Sequence, residues 1–191
     1  MAHHTIVRLL IKLVPAFALA MLLWHVAGVA EVYHRMIVPP AGFFLSLFDG
    51  SGVIHGAHFK DGDLFVRLLV EGRRTGLTIN LSDITSNEPV LVGLFLAAPI
   101  MPEVRRWSMW FGASLVALYV VHLFTIGTTV NAALLSNPQT ARLLALGTVK
   151  GKFLVGYYDF YIQYGMFLVV LILWMPYIVI GVLRKRDAAA T

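Results

Sequence analysis

The chain contains no cysteine. Disulfides, thiolate nucleophiles and thiolate-ligated zinc or iron–sulfur centres are thereby excluded, and the redox compartment is left open. Charge is also scarce. Only 13% of the residues are Asp, Glu, Lys or Arg, against about 25% in soluble domains. Acidic residues are the rarer sign, 10 in 191 positions, which is too sparse to suggest the paired carboxylates of a glycosidase. There is no phosphate-binding glycine loop, no zinc-protease helix motif and no serine elbow. The sequence therefore nominates no catalytic residue, and the expectation is a non-enzymatic protein.

What is abundant is apolar. Hydrophobic residues make up 59% of the chain, and the mean hydropathy is +0.79. The excess is gathered into runs, which argues for a membrane rather than a greasy soluble core. The fold class expected is a polytopic α-helical membrane protein with about four transmembrane helices, each of roughly 20 residues. A small antiparallel β module is inserted between the first two. The spans are placed at residues 6–30, 86–102, 107–135 and 153–183, with a basic cytoplasmic tail at 184–191.

The first run carries Arg8 and Lys12 near its start, where long side chains can snorkel to the interface. Ala27-Gly28-Val29-Ala30 resembles a signal-peptide cleavage site, so a cleaved leader is the rival reading. Residues 36–50 hold Pro39, Pro40 and the cluster Phe43, Phe44, Leu45, Leu47 and Phe48. Tandem prolines disfavour a continuing helix, which predicts a short interfacial segment.

Residues 53–82 read as an extracytoplasmic three-stranded meander. Leu77, Ile79 and Leu81 alternate with Thr78, Asn80 and Ser82, the period of a half-buried strand. Asp61-Gly62 suits the positive φ angles of a tight hairpin. Gly72-Arg73-Arg74-Thr75-Gly76 reads as the second turn, with the third strand beginning at Leu77.

The run at 86–102 opens on Ser86-Asn87-Glu88-Pro89, a helix start with proline in the first turn. Its apolar part is short for a span, so a re-entrant segment is the alternative. Residues 107–135 are polar in their second half, through His122, Thr125, Thr128, Thr129 and Asn131, and Asn137-Pro138 ends the run.

The net charge is +5. Arg105, Arg106 and the triplet Arg184-Lys185-Arg186 lie beside hydrophobic runs, which assigns the charge to membrane orientation and not to nucleic acid. With four spans, the N-terminal pair Arg8 and Lys12, the Arg105–Arg106 pair and the C-terminal triplet fall on one side, the cytoplasmic one. The β module then faces outward from a bacterial inner membrane, with both termini inside. Arg142, Lys150 and Lys152 count against this arrangement.

Five residues are candidates for a role. His25 and His122 each fall within a proposed span, and two such histidines can ligate haem b or belong to a proton path; ordinary hydrogen bonding in the bundle is the plainer account. Asp159 lies among Tyr157, Tyr158, Tyr161, Gln163 and Tyr164, and an intramembrane carboxylate needs pairing or hydration. Arg142, Lys150, Lys152 and His122 are the partners considered for it. Arg73 and Arg74, at a turn tip, are candidates for partner binding. His55 and His58 are three apart in a strand and so are expected on opposite faces unless the strand is bulged.

Three stretches resemble the exosortase H-associated membrane proteins, small polytopic proteins encoded beside membrane-embedded sorting transpeptidases. They are Pro15-Ala16-Phe17-Ala18-Leu19 through Leu22-Leu23-Trp24; Leu77 to Leu81 followed by Gly93-Leu94-Phe95-Leu96-Ala97-Ala98; and Tyr161-Ile162-Gln163-Tyr164-Gly165. The resemblance implies an accessory role in protein sorting and no catalytic residues. The transpeptidase itself uses a cysteine, which this chain lacks.

The function expected is an accessory or structural subunit of a larger membrane complex. Its partners would be other integral membrane proteins, in an oligomer or hetero-complex within the lipid bilayer. A subunit of a redox or energy-converting complex and a small oligomeric transporter or channel are the alternatives.

Overall fold

The computed structural model describes residues 2–48, 52–98, 103–144 and 148–188. The protein is mostly helical with one small sheet. Helices α1 (Ala2–His25) and α2 (Val29–Phe48) precede strands β1 (Ile54–Lys60), β2 (Asp63–Val70) and β3 (Arg73–Ile79). Then come α3 (Leu81–Thr85), α4 (Glu88–Ala97), α5 (Val104–Ser136), α6 (Pro138–Leu144), α7 (Thr148–Phe160), a π-helical turn (Tyr161–Gly165) and α8 (Met166–Ala188).

Among the described residues, two helical stretches are long and apolar enough to cross a membrane, Val104–Ser136 and Val149–Gly181. Each has 33 residues, about 50 Å at 1.5 Å per residue, against a hydrocarbon core of about 30 Å. A third span is counted only if the bent pair Ile11–His25 and Val29–Leu45 forms one broken crossing. The four spans expected are thus reduced to two or three. The run at 86–102 is the reason. Its helix α4 has 10 residues, roughly 15 Å, half of what a crossing needs. The first run also stops earlier than expected, because α1 ends at His25. Residues 49–50 of the predicted interfacial segment, 99–102 of the second run and 189–191 of the tail lie outside the described residues.

The interfacial segment is corrected as well. Pro39 and Pro40 sit inside α2, which continues to Phe48. Proline at 39 removes the donor for the Arg35 carbonyl, and proline at 40 removes the one for Met36. Met36 is the worse case, since its shorter 3₁₀-type donor would be residue 39, also proline. The Tyr119 hydroxyl donates to the Met36 carbonyl at 3.1 Å. Ile37, Val38, Ala41 and Leu45 are buried around the same turns, so packing holds a helix that local propensity alone would end.

The chain divides into two compact units, Met1–Val29, Ser86–Leu118 and Phe167–Thr191 in one, Ala30–Thr85 and Tyr119–Met166 in the other. In the first, α4 packs closely on α1: a Cβ added at Gly93 would lie 3.0 Å from Phe17 Cδ2 and 3.3 Å from its Cα. Leu91, Phe95, Leu118, Val170 and Tyr177 form its core. The last carbonyls of α4 have no helical donors. The Trp107 indole donates to Phe95 O at 3.2 Å and the Tyr177 hydroxyl to Ala98 O at 2.9 Å.

In the second unit the three strands are antiparallel in the order β1-β2-β3. Both hairpins have two-residue turns whose residues take positive φ, Asp61 and Gly62 at 53° and 95°, Glu71 and Gly72 at 51° and 78°. This is the type I′ signature, matched to strand twist. The second turn is therefore Glu71-Gly72, and Arg73 pairs with Val70 within β3. The third strand ends at Ile79, not Ser82. The Asn80 side chain accepts from Ser82 N at 2.9 Å, a local turn that diverts the chain into α3.

Candidate docking surface

Strand β2 alternates cleanly. Leu64, Val66 and Leu68 are buried, while Arg67 between them is exposed. The inner face is closed over by α2, where a Cβ on Gly42 would stand 3.6 Å from that of Ala57. Arg35, also on α2, lies over the Phe59 ring at 5.5 Å.

The outer face is different in kind. It carries Lys60, His58, Phe65, Arg67, Arg74 and Thr78. Gly76 is the partner of Arg67 and Leu69 the partner of Arg74, so the two arginines are diagonal neighbours. Like charges at this spacing repel, and neither has an ion pair among the described residues. Phe65 fills the gap left by Gly76: a Cβ there would be 2.1 Å from Phe65 Cζ. Lys60 Nζ sits 5.6 Å from the same ring's centre, and the His58 ring 5.1 Å from it. A cavity of about 660 Å³ opens beside these residues, lined by His55, Arg67, Arg74 and Gly76 among others, with no carboxylate in its wall. Three basic groups around an opening of ligand size make an anion-attracting surface.

The other side of β3 borders a second cleft, of about 330 Å³. Leu68, Val70 and Leu77 of the sheet line it with Ala133, Leu134, Asn137 and Thr140 from the corner between α5 and α6. Thr140 braces that corner by donating to Leu134 O, and it also lies 3.1 Å from Asn137 O.

The same unit holds several buried polar contacts. His122 is fully buried, and its Nδ1 is 2.7 Å from the Tyr33 hydroxyl. His34 Nε2 is 2.8 Å from the Thr85 hydroxyl, which itself donates to Leu81 O at 2.9 Å. The Thr125 and Tyr157 hydroxyls are 3.2 Å apart. Thr128 and Asn131 bond to carbonyls of their own helix, Thr125 O and Gly127 O. Groups buried in this way resist displacement, since each would otherwise lose a partner in a place without water. In the polar half of α5, His122 and Thr125 thus reach α2 and α7, while Thr128 and Asn131 satisfy themselves within the helix.

The residues singled out from sequence fall in different places. Arg73 and Arg74 are exposed on β3 as strand residues. His122 belongs to the buried network, and His25 is exposed at the end of α1. Asp159 is exposed on α7, and its carboxylate has no ion pair among the described residues. His55 and His58 both border Phe65, so they share the outer face. The register slips between Ile54 and Gly56; the extra residue shifts His55 to the other side. Among the described residues no group of three His, Asp or Glu side chains is placed to hold a metal ion.

Sequence reasoning passed over Arg67, Tyr33, His34 and Tyr119. A signal for Arg67 was present, as the single charge inside Leu64–Val70. The others read as ordinary members of a helical run.

Compared with known proteins, the chain matches no family model, no curated protein and no solved structure.

Proposed function

We propose that this protein is a non-catalytic integral membrane subunit that holds a partner protein against the outer face of its sheet. The observation that carries this reading is the contrast between the two faces. One face is packed, with Leu64, Val66 and Leu68 buried, while the other displays Arg67, Arg74 and His55 around an open cavity without compensating acid. A surface that tolerates unneutralised charge is commonly kept for recognition. The resemblance to exosortase H-associated proteins makes protein sorting the process we propose for the complex.

The sheet lines a cleft with Ala133 and Leu134, near the C-terminal end of α5, the helix whose sequence begins with the basic pair Arg105–Arg106. With the arginine end cytoplasmic, the sheet faces outward from a bacterial inner membrane.

Co-purification from mild detergent tests the reading. A membrane protein should accompany the tagged chain, and Arg67→Glu with Arg74→Glu should release it. A chain that runs alone refutes the docking role. A Soret band in the purified protein would overturn it in favour of the redox alternative, with His25 and His122 as the histidines to test.

A further inference from the structure

Strand β3 is an edge, and the two edges of the sheet are not alike. On β1 the register breaks between Ile54 and Gly56, and bulges of this kind blunt an edge against further pairing. On β3 the register with β2 is unbroken from Arg73 to Ile79. The strand holds no proline, and Arg73 to Gly76 are exposed. Its outer backbone groups have no partner strand among the described residues.

A cavity opens on each side of this edge. On the outer side, Arg74 stands on β3 itself and Arg67 one strand further in, with His55 beside them. On the inner side, Arg73, Thr75 and Leu77 of β3 line the smaller cleft together with Ala133, Leu134 and Asn137. Successive side chains of an extended strand point to opposite faces. A strand laid along β3 would therefore send every second residue toward a basic cavity, and the residues between them toward a cleft of mixed lining.

Resting on the docking role proposed above, we infer that β3 receives an extended segment of the partner protein by strand addition, and that this segment carries acidic residues at every second position. Main-chain hydrogen bonds hold it, and the basic cavity selects its acidic side chains. A second copy of β3 does not fit this description. It would bring two arginines and no carboxylate to a cavity that already lacks acid.

The test uses the full chain in detergent micelles and a labelled peptide of about eight alternating Glu and Val residues, a typical strand length. Binding is read by fluorescence anisotropy. The peptide should bind, Arg74→Glu should weaken it by about tenfold or more, and a Lys/Val peptide should not bind. In a strand the amides of all the Glu residues point to one edge and those of all the Val residues to the other. N-methylation of one set should abolish binding, and of the other set leave it.

Equal binding of both N-methylated peptides would reveal charge attraction alone and overturn strand addition. So would indifference to Arg74→Glu, or no binding at about 1 mM. Arginine-dependent association with phosphatidylglycerol-doped micelles, without peptide binding, would replace the proposal with a lipid surface. If the peptides fail while a membrane protein still co-purifies, strand addition falls and the docking role stands.

Discussion

Removing the Tyr119 hydroxyl should destabilise the protein only because Pro39 and Pro40 stand in α2. The Met36 carbonyl would normally accept from residue 40, or from residue 39 in a tightened turn, and neither has an N–H. Its donor is the Tyr119 hydroxyl at 3.1 Å. Tyr119 sits near the middle of α5, one of the two long candidate spans. Hydrocarbon there offers no replacement donor. A typical hydrogen bond contributes about 1 kcal/mol net, and a carbonyl left without a partner costs about 1–3 kcal/mol. Tyr119→Phe should therefore cost about 1–2 kcal/mol.

The decisive measurement is a double-mutant cycle. Pro40→Ala restores the amide that reaches Met36 and relieves a helix-interior proline, which is less favourable than alanine by about 3 kcal/mol. That variant should be more stable than the parent. Within it, Tyr119→Phe should cost less than about 0.5 kcal/mol, giving a coupling energy near 1 kcal/mol. Pro39→Ala is the control. It restores the donor for Arg35 but not the α-helical donor for Met36, so it should leave the Tyr119→Phe penalty in place. Stability is read by denaturant titration in mixed micelles, followed by helical circular dichroism. An equal penalty in the parent and Pro40→Ala backgrounds would refute the account, because it would show that the hydroxyl acts independently of the missing amide.

Other substitutions probe the sheet and the helix packing. Glu71 holds a φ of 51° in the second hairpin, a region that costs most residues about 1 kcal/mol; Glu71→Gly should raise stability by up to about that amount, and a lower unfolding midpoint would contradict the turn assignment. Gly76→Val should expel the Phe65 ring from its seat and cost about 1–3 kcal/mol as overpacking. Amide exchange should quicken across β2 and β3, and unchanged protection would mean the ring lies elsewhere. Gly93→Leu should force α4 away from Phe17 on α1 and lower the midpoint by a similar overpacking cost, about 1–3 kcal/mol, whereas full retention of stability would exclude the close approach. Tyr33→Phe should cost about 1–3 kcal/mol by taking a partner from the buried His122 imidazole, and a neutral effect in the same titration would argue against a fastening role.

Parts of the fold were legible from local chemistry. The Asp61-Gly62 turn declares itself because few residue pairs accept positive φ at both positions. The alternation from Leu77 to Ser82 sorts covered side chains from exposed ones, although the strand itself ends at Ile79. Asn137-Pro138 stops α5 because a proline there cannot prolong it comfortably. The second hairpin misled because Glu71 is an unusual choice for a left-handed position, while Gly76 looked like turn punctuation and is instead a flat seat for Phe65. The run at 86–102 looked like a span by its hydropathy, but its helix is only α4. Of the docking surface, Arg73 and Arg74 could be picked out by eye, but the diagonal placement of Arg74 beside Arg67 required the register.

By itself the sequence determined the apolar runs, the hairpin turn at Asp61-Gly62 and the absence of thiol chemistry, since each depends on residue type and spacing over a few positions. Only the tertiary structure decided that α2 runs through two prolines, that the polar half of α5 is turned inward, and that two cavities flank one regular strand edge. Those outcomes depend on partners far along the chain. Tyr119 reaches Met36, Tyr33 reaches His122, and α5–α6 residues meet β3, and no local pattern records such contacts.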